Sequence, residues 1–205
     1  MTQNTLFVSG IGTGVGKTIC AAILALHFDS EYWKPVQAGD LHYTDSDCVA
    51  TLSSLKTVTH PEQYRLQKAA SPHNAAAAED LLINLSDFTL PQYRERLLIE
   101  GAGGLWVPLS DEAFMIDLIQ LLQAPVALVI RNYLGCINHT LLSLEALKQR
   151  NIPLDYLVFN GTFDPDTFRV IYKQLPRSTR PIHIPELPDI TPAAIAAAAQ
   201  QVKFY

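Results

Sequence analysis

The sequence predicts an α/β fold: a doubly wound, mostly parallel sheet with helices on both faces, formed by residues 1–205 as one domain. Three observations carry this expectation. Short apolar runs alternate with amphipathic stretches along the chain, the pattern of successive β-α units. The runs are nearly continuous in apolar character, as in VALVI at 126–130, which marks strands covered on both faces. A length of 205 residues suits one good-sized core that needs neither disulfides nor a structural metal.

Taken in order, β-branched and aromatic runs place strands over 5–9, 32–36, 97–100, 126–130, 154–159 and 182–184. Helical periodicity fills the intervals at 17–28, 46–55, 74–82, 114–122, 138–150, 166–174 and 192–201. The first helix opens directly behind a glycine-rich turn. The last has Thr191 as N-cap, Pro192 at the first helical position and a run of strong helix formers, and it is expected to be structural. The stretch 37–90 is less regular, with polar clusters and the segment SPHN, and reads as loops and helices over one sheet edge where substrate is held.

Composition narrows the function. Lys+Arg 15 against Asp+Glu 20 gives −5 at pH 7, and no basic run occurs, so a nucleic-acid partner is not expected. No apolar run approaches the length of a membrane span, and the N-terminus lacks the basic and apolar regions of a secretory signal, so a cytoplasmic, membrane-free protein is expected. The three cysteines have no C-x-x-C spacing and the six histidines form no H-E-x-x-H pair, which points away from a disulfide framework and a zinc site.

The strongest motif is GIGTGVGKT at 10–18, between the first strand and the first helix. Small residues let successive N–H groups face a polyphosphate, and the helix N-terminus adds its dipole. Lys17 then reaches the β/γ-phosphates and Thr18 offers a hydroxyl to Mg²⁺. Strict G-x-x-x-x-G-K-[ST] spacing asks for glycine at 11, where Ile11 stands, so the loop is a variant. Later strands also end on polar residues, Lys34, Glu100, Arg131 and Asn160, and ligands bind at the carboxyl ends of parallel strands. Glu100 opens EGAGG and reads as an Mg²⁺ ligand or as a carboxylate supporting the metal from outside its ligand set. Asp45 and Asp47 of the DSD segment compete between a further oxygen ligand and a helix cap, and Asp47 is assigned as the ligand.

In order along the chain stand GxGTGVGKT, WKPVQAG, SDxxxxL, SPH, IEGAGG, LGCINH and a late asparagine, a set that resembles the dethiobiotin synthetase family over 6–185. The resemblance implies a homodimeric cyclo-ligase forming carbon–nitrogen bonds in biotin synthesis. Such an enzyme converts 7,8-diaminononanoate, CO₂ and ATP, with Mg²⁺, to dethiobiotin, ADP and phosphate. It places the phosphate loop on Thr13, Gly14, Val15, Gly16, Lys17 and Thr18, with Lys34, Lys17 and Thr13 as catalytic residues. It places the metal ligands on Thr18, Asp47 and Glu100, followed by Gly101, Ala102 and Gly103 beside the phosphates. Nucleobase recognition falls on Asn160 and Gly161, with Ile184, Pro185 and Glu186. The diamine falls on Lys34 and Ala38, and its carboxylate on Gly135, Cys136, Ile137 and Asn138 of the partner subunit.

The chain departs from the family pattern at Ile11-Gly12, usually Thr-Asp; at Ala38, usually a hydroxyl residue; and at Tyr133, lysine in some members. Cys136 reads as a small buried residue that lets backbone approach, in preference to a nucleophile, and His73 and His139 as hydrogen-bonded structural residues. Arg131 reads equally as a phosphate partner or a surface charge. Two rivals are an ATPase switch of the ParA/MinD type, whose signature lysine near the loop start has no counterpart here, and a non-enzymatic nucleotide-binding module, which would not be expected to keep Lys17, Lys34 and Glu100.

Overall fold

The computed structural model describes residues 4–204. The elements run β1 (Thr5–Gly10), α1 (Lys17–His27), β2 (Glu31–Trp33), β3 (Val36–Ala38), α2 (Asp45–Leu52), β4 (Thr59–His60), β5 (Tyr64–Leu66) and α3 (Pro72–Ala77). A short 3₁₀ turn (Leu85–Asp87) leads to β6 (Leu97–Gly104), α4 (Met115–Leu122), β7 (Val126–Arg131), α5 (Cys136–Gln149), β8 (Leu154–Asn160), α6 (Pro165–Tyr172), β9 (Arg180–Ile184), α7 (Pro192–Gln200) and β10 (Lys203–Phe204). Among the described residues the main sheet has eight strands in the order β10-β9-β8-β7-β1-β6-β2-β4. Every pairing in it is parallel except that of the edge strand β10 with β9.

β1 lies inside the sheet, with Phe7 opposite Ile99 of β6 on one side and Val126 of β7 on the other. Successive side chains of a strand face opposite ways, so the doubly covered strands divide their residues between two cores. Phe7, Ile99, Leu128 and Leu157 join one cluster, under α3, α4, α5 and α6; Val8, Leu98, Val129 and Val158 join the other, under α1, α2 and α7. This explains why the strands read as continuous apolar runs.

The expected second strand, 32–36, is two strands. β2 ends at Trp33, and after Lys34 and Pro35 the chain enters β3, which pairs with β5 in a separate two-stranded sheet. Pro35 has no N–H to give to a ladder, and its carbonyl instead accepts from the N–H groups of Gln63 and Tyr64. The irregular stretch thus contains β3, β4 and β5, too short for periodicity to show, and an α3 that ends at Ala77, short of the expected 82.

β6 runs four residues past the expected end, to Gly104, and pairs with Gly10 there. Its glycines make the fit possible: a Cβ on Gly101 would stand 2.7 Å from Phe7 Cε1 and 3.2 Å from Met115 Sδ. Gly101→Ala is therefore expected to overpack the core and destabilise the protein by roughly 1–3 kcal/mol, read in thermal unfolding as a Tm lowered by several degrees. An unchanged Tm would show that Phe7 and Met115 yield without cost.

Candidate functional site

The segment between β1 and α1 forms a tight loop for steric reasons. A Cβ on Gly10 would lie 2.7 Å from Val15 Cγ2, and Gly14 and Gly16 take left-handed φ of 75° and 86°. Gly16 caps α1, so Lys17 and Thr18 start the helix. Lys17 is buried, and its Nζ donates to the Gly12 carbonyl at 3.2 Å, folded back along its own loop. Burial lowers its pKa, with the Glu100 carboxylate opposing the change.

Three elements deliver the remaining charges. Lys34 follows β2, Glu100 lies in β6, and Asp45 opens α2. Lys34 Nζ is 2.5 Å from Asp45 Oδ2, 3.1 Å from Glu100 Oε1 and 3.4 Å from the Gly101 carbonyl. Burial alone would lower the Lys34 pKa, but the Glu100 and Asp45 carboxylates outweigh it and raise the value, so the ammonium is retained. Thr18 Oγ1 lies 3.0 Å from Glu100 Oε1 and 3.1 Å from Asp45 Oδ1, its one proton serving a single acceptor at a time. The Tyr32 hydroxyl donates to the other Glu100 oxygen, Oε2, at 2.8 Å. Burial first, then the Glu100 charge, raise the Tyr32 pKa, so the phenol keeps its proton.

Lys17, Thr18, Lys34, Asp45 and Glu100 border a cavity of about 640 Å³. Thr13, Gly14, Gly16, Ala102 and Gly103 line it from the loop and the end of β6, and Ala38 and Ser71 from the opposite wall. Thr18, Asp45 and Glu100 offer a hydroxyl and two carboxylates, the hard oxygen set that suits Mg²⁺. Asp47, the oxygen ligand assigned from the sequence, is not brought to this set. Asp47 is exposed and completes a capping box with Thr44, its Oδ2 accepting from the Thr44 N–H at 2.9 Å. Thr44-x-x-Asp47 is itself the capping-box pattern, which assigns Asp47 to the helix and leaves Asp45, at its first position, to turn inward. Tyr32 is the other contributor that the sequence reading passes over, since an aromatic residue in an apolar strand carries no sign of its hydroxyl's partner.

Asn160, at the end of β8, donates from Nδ2 to the Val15 carbonyl at 2.8 Å, fastening the phosphate loop to the far half of the sheet. A Cβ on Gly16 would meet that Nδ2 at 2.3 Å, so glycine is required there twice over. The Gly161 N–H donates to the Ile184 carbonyl at 2.8 Å, while the Ile184 side chain is core. Beyond Pro185, Glu186 pairs with Arg131 at 2.6 Å across the ends of β7 and β9.

Gly135, at φ 102°, caps α5; the Cys136 N–H donates to the Tyr133 carbonyl at 2.9 Å, and Ile137 and Asn138 present the N–H groups of the helix start. They border a different cavity of about 800 Å³, away from Lys34 within one chain. Cys136 is 2% exposed, in keeping with a packing role. His139 Nδ1 lies 2.7 Å from the Tyr133 hydroxyl and His73 Nδ1 3.0 Å from Ser71 Oγ, so both histidines are hydrogen-bonded.

A family profile described as AAA domain matches residues 4–194. ATP-dependent dethiobiotin synthetase BioD of Agrobacterium fabrum is 44% identical over 195 residues, covering 95% of this chain and 92% of the relative. The protein of the same name from Cytophaga hutchinsonii is 47% identical over 169 residues, covering 82% of each. Among solved structures, a putative plasmid partition protein of Borrelia burgdorferi bound to AMPPNP superposes with a TM-score of 0.58 at 14% identity, covering 96% of this chain and 90% of that one. A ParA family ATPase from Chlorobium tepidum gives 0.52 at 12% identity, covering 98% and 100%. These likenesses support the mostly parallel P-loop NTPase fold, and the sequence relatives, which match nearly end to end, decide the family. With its phosphate loop, paired lysines and inward carboxylates, the chain belongs to the ATP-dependent dethiobiotin synthetase family.

Proposed function

We propose that the protein joins CO₂ to 7,8-diaminononanoate and closes the urea ring of dethiobiotin at the expense of ATP, in the cytoplasm, releasing ADP and phosphate. The observation that carries this reading is the convergence of Lys17, Thr18, Lys34, Asp45 and Glu100 on one cavity beside a phosphate loop. A hydrolytic switch needs the loop and an oriented water; a second buried lysine facing the wall that carries Ala38 and Ser71 suits an anionic acceptor. The chemistry asks for such an acceptor. One amine adds to CO₂ with loss of a proton, giving a carbamate. A carbamate oxygen then bonds to the γ-phosphorus as the bond to ADP breaks, and the second amine attacks the carbamoyl carbon and expels phosphate.

Each residue then has a part. The loop N–H groups from Thr13 to Thr18 and the Lys17 ammonium hold the phosphate oxygens, and Lys34 neutralises the carbamate as its oxygen approaches. Asn160, Gly161 and the 184–186 segment border the base. Thr18, Asp45 and Glu100 would hold Mg²⁺, which when bound offsets charge on the phosphates. The nine-carbon diamine needs its carboxylate anchored far from its amines. The helix start at Gly135 to Asn138, donated by a second subunit of a homodimer, meets that need, and Leu134 and Leu142 stand exposed beside it as contact surface.

The deciding experiment incubates protein with ATP and Mg²⁺ and follows phosphate release and product mass. Release is expected only when diamine and bicarbonate are both present, with a cyclic urea formed in step. Equal release without diamine would favour the switch. Asp45→Asn is expected to lower kcat/KM about 10²-fold. Asp47→Asn should leave kcat/KM within about twofold while lowering stability by roughly 0.5 kcal/mol through the weakened first turn of α2. The reverse pattern would return the ligand role to Asp47. Finally, a Lys34→Ala chain mixed with a Cys136→Trp chain should regain activity on forming heterodimers, although each parent is inactive. Heterodimers as dead as the parents would place the carboxylate anchor within one subunit.

A further inference from the structure

Tyr32 is 0% exposed and sits in the short strand β2, next to β6. Tyr32 stands opposite Leu98 in the parallel register, and the next pair is Trp33 with Ile99. Tyr32 and Leu98 belong to the same core cluster, so Glu100, two residues on from Leu98, emerges on the face that Tyr32 occupies. Lys34, two residues on from Tyr32, approaches the same carboxylate from further along the chain. The two neighbours divide Glu100 between them: Tyr32 donates to Oε2 at 2.8 Å, and Lys34 and Thr18 meet Oε1 at 3.1 and 3.0 Å.

A carboxylate turns both oxygens about a single terminal torsion, and that torsion has a broad preference of its own. Tethering one oxygen on the core side leaves the second pointing in one direction, here toward Thr18 and Lys34. A phenylalanine would fill the same space in the apolar cluster; the hydroxyl adds this bond alone.

We infer that Tyr32 is a positioning residue, whose hydroxyl fixes Glu100 so that Oε1 is presented to the divalent cation that arrives with the nucleotide. The inference rests on the nucleotide-and-Mg²⁺ reading of the site proposed above. It adds a group that touches neither substrate nor metal and acts through its grip on a carboxylate that does. Loss of such an outer partner costs about 10-fold or more in metal affinity.

The test compares wild type with Tyr32→Phe. ADP binding is measured by calorimetry in EDTA and again at a series of Mg²⁺ concentrations. Tyr32→Phe is expected to bind metal-free ADP as wild type does, to need about 10-fold more Mg²⁺ for half the metal-dependent gain, and to raise the Mg²⁺ requirement of turnover more than it lowers kcat at saturating metal. Made in a Glu100→Gln background, the same substitution should cost nothing further in the Mg²⁺ response, because the carboxylate it orients is gone. An unaltered Mg²⁺ response in Tyr32→Phe, or an equal loss in both backgrounds, would overturn the inference. So would a variant that fails to unfold cooperatively or loses metal-free ADP binding in proportion, since the bond would then serve the fold in general. A wild-type protein whose ADP affinity ignores Mg²⁺ would instead strike down the reading of the site itself.

Discussion

The burial of the Glu100 carboxylate is the constraint around which this molecule is arranged. At 1% exposure it has given up nearly all its hydration, a cost of several kcal/mol for an isolated ion, and only local donors and charges can offset that. Tyr32 in β2, Lys34 just beyond its end and Thr18 in α1 supply them, while Asp45 of α2 balances Lys34. With Lys17 and Lys34 against Asp45 and Glu100, the formal charges cancel within the cluster. The order of strands in the sheet follows the same need: β6 lies between β1 and β2, so the carboxylate stands between the phosphate loop and the lysine that must both reach it.

The cluster is held by connections that are distant in sequence. Thr18 and Glu100 are 82 positions apart, and Asn160 and Val15 are 145 apart. Long-range pairings of this kind become rigid only once the parallel sheet has formed, so the geometry of the site is a property of the whole fold and of no single motif. The Asn160 bond is instructive because it is made to a backbone carbonyl of the loop. It restrains the loop without occupying any N–H that a phosphate would use.

Much of this was legible in the residues themselves. The P-loop carries its own steric logic in glycines and in GKT, and the doubly covered strands announce themselves by lacking alternation, so the fold and the places of Lys17, Thr18, Lys34, Glu100 and Asn160 follow from local pattern. What escaped was settled by contacts between elements. Asp45 and Asp47 are chemically identical and two positions apart, and they are separated only by which one turns back to cap α2. The strands β3, β4 and β5 have two or three residues each, too few to establish a period, and owe their form to neighbours. Pro35 was visible as an interruption, yet nothing local told that the chain changes sheets there.

That change of sheets gives the cavity two walls of different origin. The phosphate wall is part of the eight-stranded sheet and shares its hydrogen-bond ladder. The wall bearing Ala38 rests on the two-stranded β3-β5 unit, joined to the main sheet through Lys34 and Pro35. The molecule therefore has a seam along which one wall can be rebuilt while the other is kept. Insertions or exchanges in 39–44 and 67–70 would reshape what the cavity accepts with no strand of the main ladder disturbed. A lineage that retained the nucleotide half could in this way explore new acceptors by redrafting a short stretch of chain, and the residue pair at the seam, one charged and one ring-locked, is where the inherited half stops and the exchangeable half begins.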